Sequence, residues 1–480
     1  MTTQLSSSAS TELTEDVIQR AAADYDHWQR RNAFYYRELV RLYRRHIRPG
    51  ARVLEIGCGG GELLAALKPA YGVGVHDDPA LIEVARRRHP ELHFVTGSLE
   101  APPLPAGETF DFIIICNVIG HMHDVQAAFM AVRPFCRPDT RVIVAYHNAV
   151  WEPVLRLGSR LGLRRPTSEQ NWLSRDDLVN LFELAGFQVV RQFCEVLLPV
   201  PVPGLAGLLN RFVVKFWPFK HFGIVITMVA RPLCPPLEED KAVVSVIIPT
   251  RNERGNIEAA VARTPEMGAG TEIIFVDGWS TDGTVEEIHR VMATNPQRRI
   301  RFIPQEGKRG KGQAVRQGFA AATGDVLMIL DADLTVAPED LPKFFRALIE
   351  GKGEFINGTR LVYPMHEKAM RFLNKLGNKF FSILFTWLIG QRFRDTLCGT
   401  KVLTKRNYEK IAAARHELGD FDPFGDFDLI FGAARQDLKI IEIPIRYGER
   451  TYGTTNINRF RDGWLLLRMS WKAFWKVRLR

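Results

Sequence analysis

The sequence has no paired cysteines. Its six, Cys58, Cys116, Cys136, Cys194, Cys234 and Cys398, are scattered, and no two form a C-x-x-C pair. Neither a zinc site nor a disulfide framework is indicated, and free thiols in a reducing compartment are expected. Long apolar runs are also missing. A spanning helix needs about 18–20 uninterrupted apolar residues. The stretch 380–390 (FFSILFTWLIG) stops short of that, and 205–230 is broken by Arg211, Lys215 and Lys220. The opening residues, MTTQLSSSASTELTED, lack the apolar core of a secretory signal. The expectation is a protein that is soluble or lies on a membrane, not one that crosses it.

Wholesale disorder is excluded by the composition, 46% hydrophobic and 25% charged. At 480 residues the chain is too long for one ordinary core, so two or three domains are expected. Lys and Arg number 64 against 54 Asp and Glu, a net charge of +10. Such an excess points to an anionic partner: phosphates, a membrane surface or nucleic acid. No nucleic-acid recognition motif accompanies the charge, so that partner is not expected.

Helical periodicity follows a polar tail of about 15 residues, runs from 16 to 48 and stops at Pro49-Gly50. From Val53 short β-rich runs (VLEIG, YGVGV, HFVTG, FDFIIIC, RVIVAY) alternate with helical patterns, the signature of a doubly wound sheet. Apolar runs at 187–198 and 223–230 suit a closing antiparallel pair. RPLCPPLEEDK (231–241), with three prolines and an acidic cluster, reads as a linker. The alternation then restarts with VVSVIIPT, EIIFVDG, IRFIPQ, VLMILDAD and GEFINGTR. The expected layout is an N-terminal tail and helix (1–35), a first α/β domain (36–232), a linker (233–241), a second α/β domain (242–463) and a basic amphipathic tail (464–480).

In the first domain, VLEIGCGGG places Glu55, Gly57, Gly59 and Gly61 after a buried strand and before a helix. Glycines let the backbone turn tightly and approach a nucleoside-type cofactor without a Cβ clash. With FDFIIICNVIGHMHD (110–124), FCRPDTRVIV (135–144) and the GFQVV…FGIVITMVARP ending, this segment resembles the class I S-adenosylmethionine-dependent methyltransferases over roughly 36–232. The resemblance implies a Rossmann-like fold that binds S-adenosylmethionine through Glu55, Gly57, Gly59, Gly61, His76, Asp77, Ser98 and Asn117. It departs from the family at His76, where an acid usually grips the ribose, with Asp77 beside it. Ser98 departs too, standing where an Asp often faces the adenine. No acceptor-side base is distinguished; His121, His123 and Asp124 lie in the loop where one would be, and a structural cap is the other reading.

In the second domain three strands end in polar residues: VVSVIIPTRNE (243–253), EIIFVDGWSTDGT (272–284) and LMILDADL (327–334). Carboxylates at i and i+2 after a buried strand reach one divalent cation if the chain turns there, and such a cation bridges a diphosphate. Together with EGKRGKGQAVRQGF (306–319), NGTR (357–360), DTLCGTK (395–401) and IPIRYGERTYGTTN (443–456), these segments resemble the family-2 glycosyltransferases with a GT-A fold, most closely the dolichol-phosphate mannose synthase branch. The resemblance implies that Pro249, Thr250, Glu253 and Asp277 hold the nucleotide, with Lys311 from the glycine-rich loop at the nucleotide-sugar. Asp331 and Asp333 would hold Mg2+ or Mn2+ and the sugar diphosphate. Arg360, Arg371 and Arg450 would face the acceptor phosphate and the leaving diphosphate, a task suited to guanidinium forks. Departures are Gly278-Trp279 in place of a second Asp, Thr455-Asn456 near the end, and Asp428 in place of a glutamate.

The implied function is a bifunctional enzyme. One half methylates; the other moves a sugar from a nucleotide-sugar, GDP-mannose or a UDP-sugar, to polyprenyl phosphate or another glycan acceptor. A lipid phosphate is already anionic and needs no general base; a hydroxyl acceptor would make Asp426 or Asp428 the candidate base. A non-catalytic first domain is the rival from another class. On a helix, Trp464, Leu467, Trp471, Phe474 and Trp475 share one face beside Arg468, Lys472 and Lys476. Residues 459–480 hold seven Lys/Arg and one Asp, hence six of the ten net charges. That composition suits an in-plane helix on an anionic membrane surface, and the alternative is a helix packed on the sheet with a basic edge. The expected location is cytoplasmic, peripheral on the cytoplasmic face of a membrane.

Overall fold

Apolar strands that alternate with amphipathic helices can bury both faces of a parallel sheet, and this chain does so twice. The computed structural model describes residues 13–165, 170–360, 372–415, 426–448, 452 and 459–478. The chain divides into two compact units, Met1–Leu233 and Cys234–Arg480.

In the first unit seven strands form one sheet: β1 (Arg52–Ile56), β2 (Tyr71–His76), β3 (His93–Thr96), β4 (Phe110–Cys116), β5 (Cys136–His147), β6 (Phe187–Glu195) and β7 (Val225–Pro232), in the order β3-β2-β1-β4-β5-β7-β6. The first five are mutually parallel; β7 runs antiparallel to both β5 and β6, which closes the edge. The periodicity at 16–48 becomes two helices, Glu15–Arg31 and Ala33–Arg44, separated at Asn32. Two helix starts follow from local chemistry. Asp78 accepts from the N–H groups of Ala80 and Leu81, with Pro79 at the first helical position. Ser174 and Asp177 form a reciprocal capping box.

The second unit repeats the scheme with β8 (Val243–Thr250), β9 (Gly270–Asp277), β10 (Arg299–Pro304), β11 (Val326–Ile329), β12 (Phe355–Thr359), β13 (Lys401–Thr404) and β14 (Ile440–Pro444), in the order β10-β9-β8-β11-β13-β12-β14. Strand β13 is antiparallel to both β11 and β12. Both units are therefore mixed α/β sheets, a Rossmann-like first and a GT-A-like second, as the resemblances imply. In each, the strand order reverses once among parallel strands, between β1 and β4 and between β8 and β11. Ligands of open α/β sheets bind at the carboxyl ends of such a pair.

The tail is a helix, Arg459–Ala473, continued by one wider turn, Phe474–Arg478. Leu466, Met469 and Ala473 are buried in the core of the second unit, with Phe385 and Leu388 of the helix Phe372–Ile389 in the same cluster. The Phe474 ring stacks on Trp387 at 5.5 Å. Trp464, Trp471 and Trp475 remain exposed, at 71%, 62% and 42%. One face packs on the core and the opposite face carries aromatics to the surface. None of the described helices is long and apolar enough to cross a membrane.

Candidate active sites

At the reversal point of the first sheet, β1 ends beside β2 and β4, with Ile56 paired to Val75 and Ile115. The chain leaves through Gly57 at φ +82°, where an added Cβ would lie 2.3 Å from Val118 Cγ1. Only glycine fits that backbone and that gap. Glu55, two residues earlier, is 2% exposed, and its Oε2 has no hydrogen-bond partner. Burial, reinforced by Glu62, pushes its carboxyl well above the usual carboxylate range. A buried carboxyl with an unused oxygen beside a glycine turn suits an incoming cationic group.

The remaining cofactor candidates divide. Asn117 follows β4 at φ +57° and accepts from the Tyr35 hydroxyl at 3.1 Å. His76 ends β2, and its Nδ1 accepts from the Asp78 N–H at 3.0 Å, while burial lowers its pKa. That ring is neutral and can donate through Nε2. Asp77 is two-thirds exposed next to it. Ser98 is turned onto its own loop, its hydroxyl accepting from the Glu100 N–H at 3.2 Å. Asp124 caps the helix Val125–Val132.

Sequence reasoning missed three groups here. Tyr25, from the helix Glu15–Arg31, donates to Glu62 at 2.7 Å, and its ring lies 2.9 Å from where a Cβ on Gly59 would stand. Tyr35 sits between Asn117 and His147, its oxygen 3.4 Å from the His147 ring nitrogen. His147 ends β5 and lines a small pocket with Asn117, Gly120, Tyr146, Gln170 and Asn171. Burial, then Arg164 and His121, bring its pKa down to about 3. The run Tyr146-His147-Asn148 at the end of an apolar strand was the available signal.

In the second unit, β8 and β9 pair so that Pro249 meets Val276 and Thr250 meets Asp277. Thr250 donates to Asp277 at 3.4 Å, and Asp277 also accepts from the Ser280 N–H and hydroxyl. Glu253, nearly buried, accepts from Asn256 at 2.7 Å. These four candidates stand on adjacent strand ends. Trp279, in the departure from the family pattern, has φ +58° and is 40% exposed, with the Arg309 guanidinium 5.2 Å above its ring.

Asp331 follows β11, and its Oδ1 lies 2.5 Å from the Lys311 ammonium. Lys311 begins the helix Lys311–Ala321. Because β13 runs antiparallel, its first residue, Lys401, comes back to this end of the sheet. Lys401 is fully buried and donates to the Cys398 carbonyl. Burial would raise the Asp331 pKa, but Lys311 first, then Lys401 and Arg360, hold it below the usual range. Gly399 closes the cluster: a Cβ there would lie 2.0 Å from Asp331 Oδ2 and 2.6 Å from Lys311 Nζ.

Asp333 is tied to its own turn, accepting from the Thr335 N–H at 3.1 Å and hydroxyl at 2.8 Å. Arg360 forks onto the fully buried Asp395 through Nε and Nη2, at 2.7 and 2.8 Å. Asp428 accepts from Arg415 at 2.6 Å and lies 3.3 Å from Arg316, on the same helix as Lys311. Arg371 and Arg450 lie outside the described residues. No group of three or more His, Cys, Asp or Glu that could hold a metal occurs among the described residues. Asp331 and Asp333 are the carboxylates that would hold a hard cation such as Mg2+, whose remaining oxygens would come from a diphosphate and water.

The family model for glycosyl transferase family 2 matches residues 245–407, and a methyltransferase-domain model matches 25–192. Glycosyltransferase AglJ of Haloferax volcanii is 30% identical over 226 residues, 46% of this chain and 69% of that protein. Dolichol-phosphate mannosyltransferase of Pyrococcus furiosus is 31% identical over 221 residues, covering 45% of this chain and 59% of the relative. The Saccharomyces cerevisiae enzyme of the same name is 40% identical over 139 residues, 26% of this chain and 51% of its own length. Among solved structures, a SAM-dependent methyltransferase of Thermotoga maritima, a possible histamine N-methyltransferase, covers 45% of this chain and 98% of its own at 18% identity and a TM-score of 0.36.

Proposed function

This chain belongs to glycosyl transferase family 2 and carries a methyltransferase domain ahead of it, and on that premise we propose that it glycosylates a polyprenyl phosphate from a nucleotide-sugar and methylates with S-adenosylmethionine. The observation that carries the first activity is the cluster of Asp331, Lys311, Lys401 and Gly399 at the reversal point of the second sheet. A carboxylate held ionised among fixed cations, with glycine leaving room beside it, suits a nucleotide diphosphate. Pro249, Thr250, Glu253 and Asp277 take the nucleoside. Asp331 and Asp333 would hold Mg2+ or Mn2+, which would supply neutralising charge for the departing diphosphate. Lys311 neutralises Asp331 before substrate arrives and offers its ammonium to phosphate afterwards. Transfer to an anionic lipid phosphate then depends on positioning and charge. The similarity to two dolichol-phosphate mannosyltransferases supports this acceptor.

For the first unit, the unpartnered Glu55 oxygen and the Gly57 turn support cofactor binding, with Asn117, Tyr35 and His147 lining the place of the methyl acceptor. Ser98 and His76, each bonded to backbone nearby, favour the second reading of a non-catalytic module. The exposed tryptophans of the tail support a peripheral location, on the cytoplasmic face of a membrane that supplies the lipid acceptor. The test is a screen of GDP-mannose and UDP-sugars with polyprenyl phosphate, read by mass spectrometry, with calorimetry of S-adenosylmethionine alongside. Sugar found only on a hydroxyl acceptor would overturn the lipid-phosphate assignment. No heat at millimolar cofactor would establish the non-catalytic module.

A further inference from the structure

Within the first unit, the segment between β6 and β7 is built inside out. Its polar groups point inward. Lys215 is 4% exposed and pairs with the buried Glu195, which also takes both Nη1 and Nη2 of Arg45 at 2.8 Å. Burial alone would raise Glu195, but Arg45 and Lys215 hold it below the usual carboxylate range. Asn210, 1% exposed, exchanges two hydrogen bonds of 2.8 Å with the backbone of Leu198. Asn148 donates to the carbonyls of His221 and Gly223 at 3.0 Å, and Trp151 Nε1 to that of Phe222 at 2.7 Å.

Its large apolar side chains point outward. Trp217 is 77% exposed, and Leu208, Phe216, Phe219 and Phe222 are each near half exposed. The helix Glu152–Arg160, joined to this segment through Trp151, has no buried residue, and Val154 and Leu157 are each 55% exposed. A loosely packed loop would show apolar and polar groups outside alike. Here four separate polar anchors fix the backbone, and the fixed backbone presents rings to the surface. Isolated exposed apolar residues need no explanation, but this many large ones on one fixed segment and its adjoining helix suit an interaction surface.

Its charge is mostly of one sign. No acidic residue occurs from 196 to 237, while Arg211 and Lys220 are exposed within it. On the adjoining helix Arg156 pairs with Glu152 at 2.6 Å and Arg160 is exposed, so the cations of the lobe outnumber its one acid. Aromatic rings together with an excess of cations are the composition of a surface seated in the headgroup layer of anionic lipid. A protein partner of average composition would not demand that excess. We propose that the first unit docks on an anionic lipid surface through this lobe, formed by Glu152–Arg160 and 200–222, independently of the C-terminal tail. The anchor Asn148 directly follows His147, which lines the pocket, so the docked surface adjoins the methyl-acceptor site. That last point rests on the methyltransferase reading; the docking itself does not.

The test uses the full chain with vesicles of phosphatidylcholine alone or with phosphatidylglycerol. Two backgrounds are compared: wild type, and Trp464→Ser, Trp471→Ser, Trp475→Ser, which disables the tail. In each, Trp217→Ser with Phe219→Ser should lower the fraction bound to anionic vesicles at least ~5-fold, and Lys220→Glu should lower it in a salt-dependent way. Neither set touches an anchor, and calorimetry with S-adenosylmethionine plus thermal melting reports whether the unit is intact. Unchanged vesicle binding by the folded lobe variants overturns the proposal. So does a wild-type dimer in lipid-free light scattering that the lobe variants convert to a monomer, since the surface is then a protein interface. Should the double variant melt early, Lys220→Glu alone decides. A wild type that binds vesicles but no S-adenosylmethionine keeps the docking and ends the methyltransferase reading.

Discussion

At the scale of single residues, Gly399 and Glu55 carry the sharpest consequences. Gly399 has no unusual backbone angle to excuse it; it is glycine because Asp331 Oδ2 and Lys311 Nζ occupy the space a Cβ would fill. Gly399→Ala must therefore displace the Asp331 carboxylate. A misplacement near 1 Å at a reacting site costs about 100-fold, so sugar transfer should fall by that order while the melting temperature changes little. Activity within a factor of two of wild type would show that Asp331 does not need its observed position. Glu55 works in the opposite sense for stability. Its folded-state pKa is raised, so the fold prefers it protonated. The stability it contributes is present below the ordinary carboxylate range and is lost as pH rises through the raised folded value. Glu55→Gln should therefore raise the melting temperature of the cofactor-free protein at pH 8 and leave it nearly unchanged at pH 4. The same variant should weaken S-adenosylmethionine, because an amide cannot ionise against the cationic group as the carboxyl can. A flat difference in melting temperature across that range would contradict the assignment.

At the scale of elements, the C-terminal helix divides its two faces between core and surface. Leu466, Met469 and Ala473 are buried, and three tryptophans on the other face are not. Deleting the helix would remove core as well as surface, so the informative variant is substitution. Trp464→Ser, Trp471→Ser and Trp475→Ser should leave the melting temperature within a few degrees of wild type. Transfer to a long-chain polyprenyl phosphate in anionic vesicles should fall several-fold, and transfer to a short soluble acceptor should hold. Each nearby cation adds ~1 kcal/mol at an anionic surface, and salt screens it. The residual binding should weaken as salt rises. Equal rates on both acceptors would remove the tail from the lipid reaction.

At the scale of the molecule, two units with separate cores and separate reversal points predict that the two proposed activities are separable. Gly57→Val places a side chain against Val118 and should abolish S-adenosylmethionine binding while sugar transfer persists. Asp333→Asn should do the reverse, cutting transfer by orders of magnitude with cofactor binding unchanged. Loss of both activities from either substitution would mean that the units are coupled.

The sequence by itself determined much of this protein. Alternating apolar strands and amphipathic helices force doubly wound sheets, and glycines or carboxylates at strand ends can only fall at the sheet's functional edge. Glu55, Gly57, Thr250, Asp277 and Asp331 were legible for that reason. Tertiary structure alone decided which charges meet. Lys401 comes to Asp331 because an antiparallel strand, unmarked in the apolar pattern, returns the chain to the same edge, and Lys311 meets it from the start of the helix that precedes β11. Arg360 pairs with Asp395, 35 residues away, and Tyr25 covers the glycine turn from a helix that precedes the first sheet. The surface between β6 and β7 was hidden by the usual rule that apolar residues go inside. Its buried lysine and asparagine hold the backbone so that its tryptophan and phenylalanines face out, and periodicity has no term for a backbone fixed by its polar side.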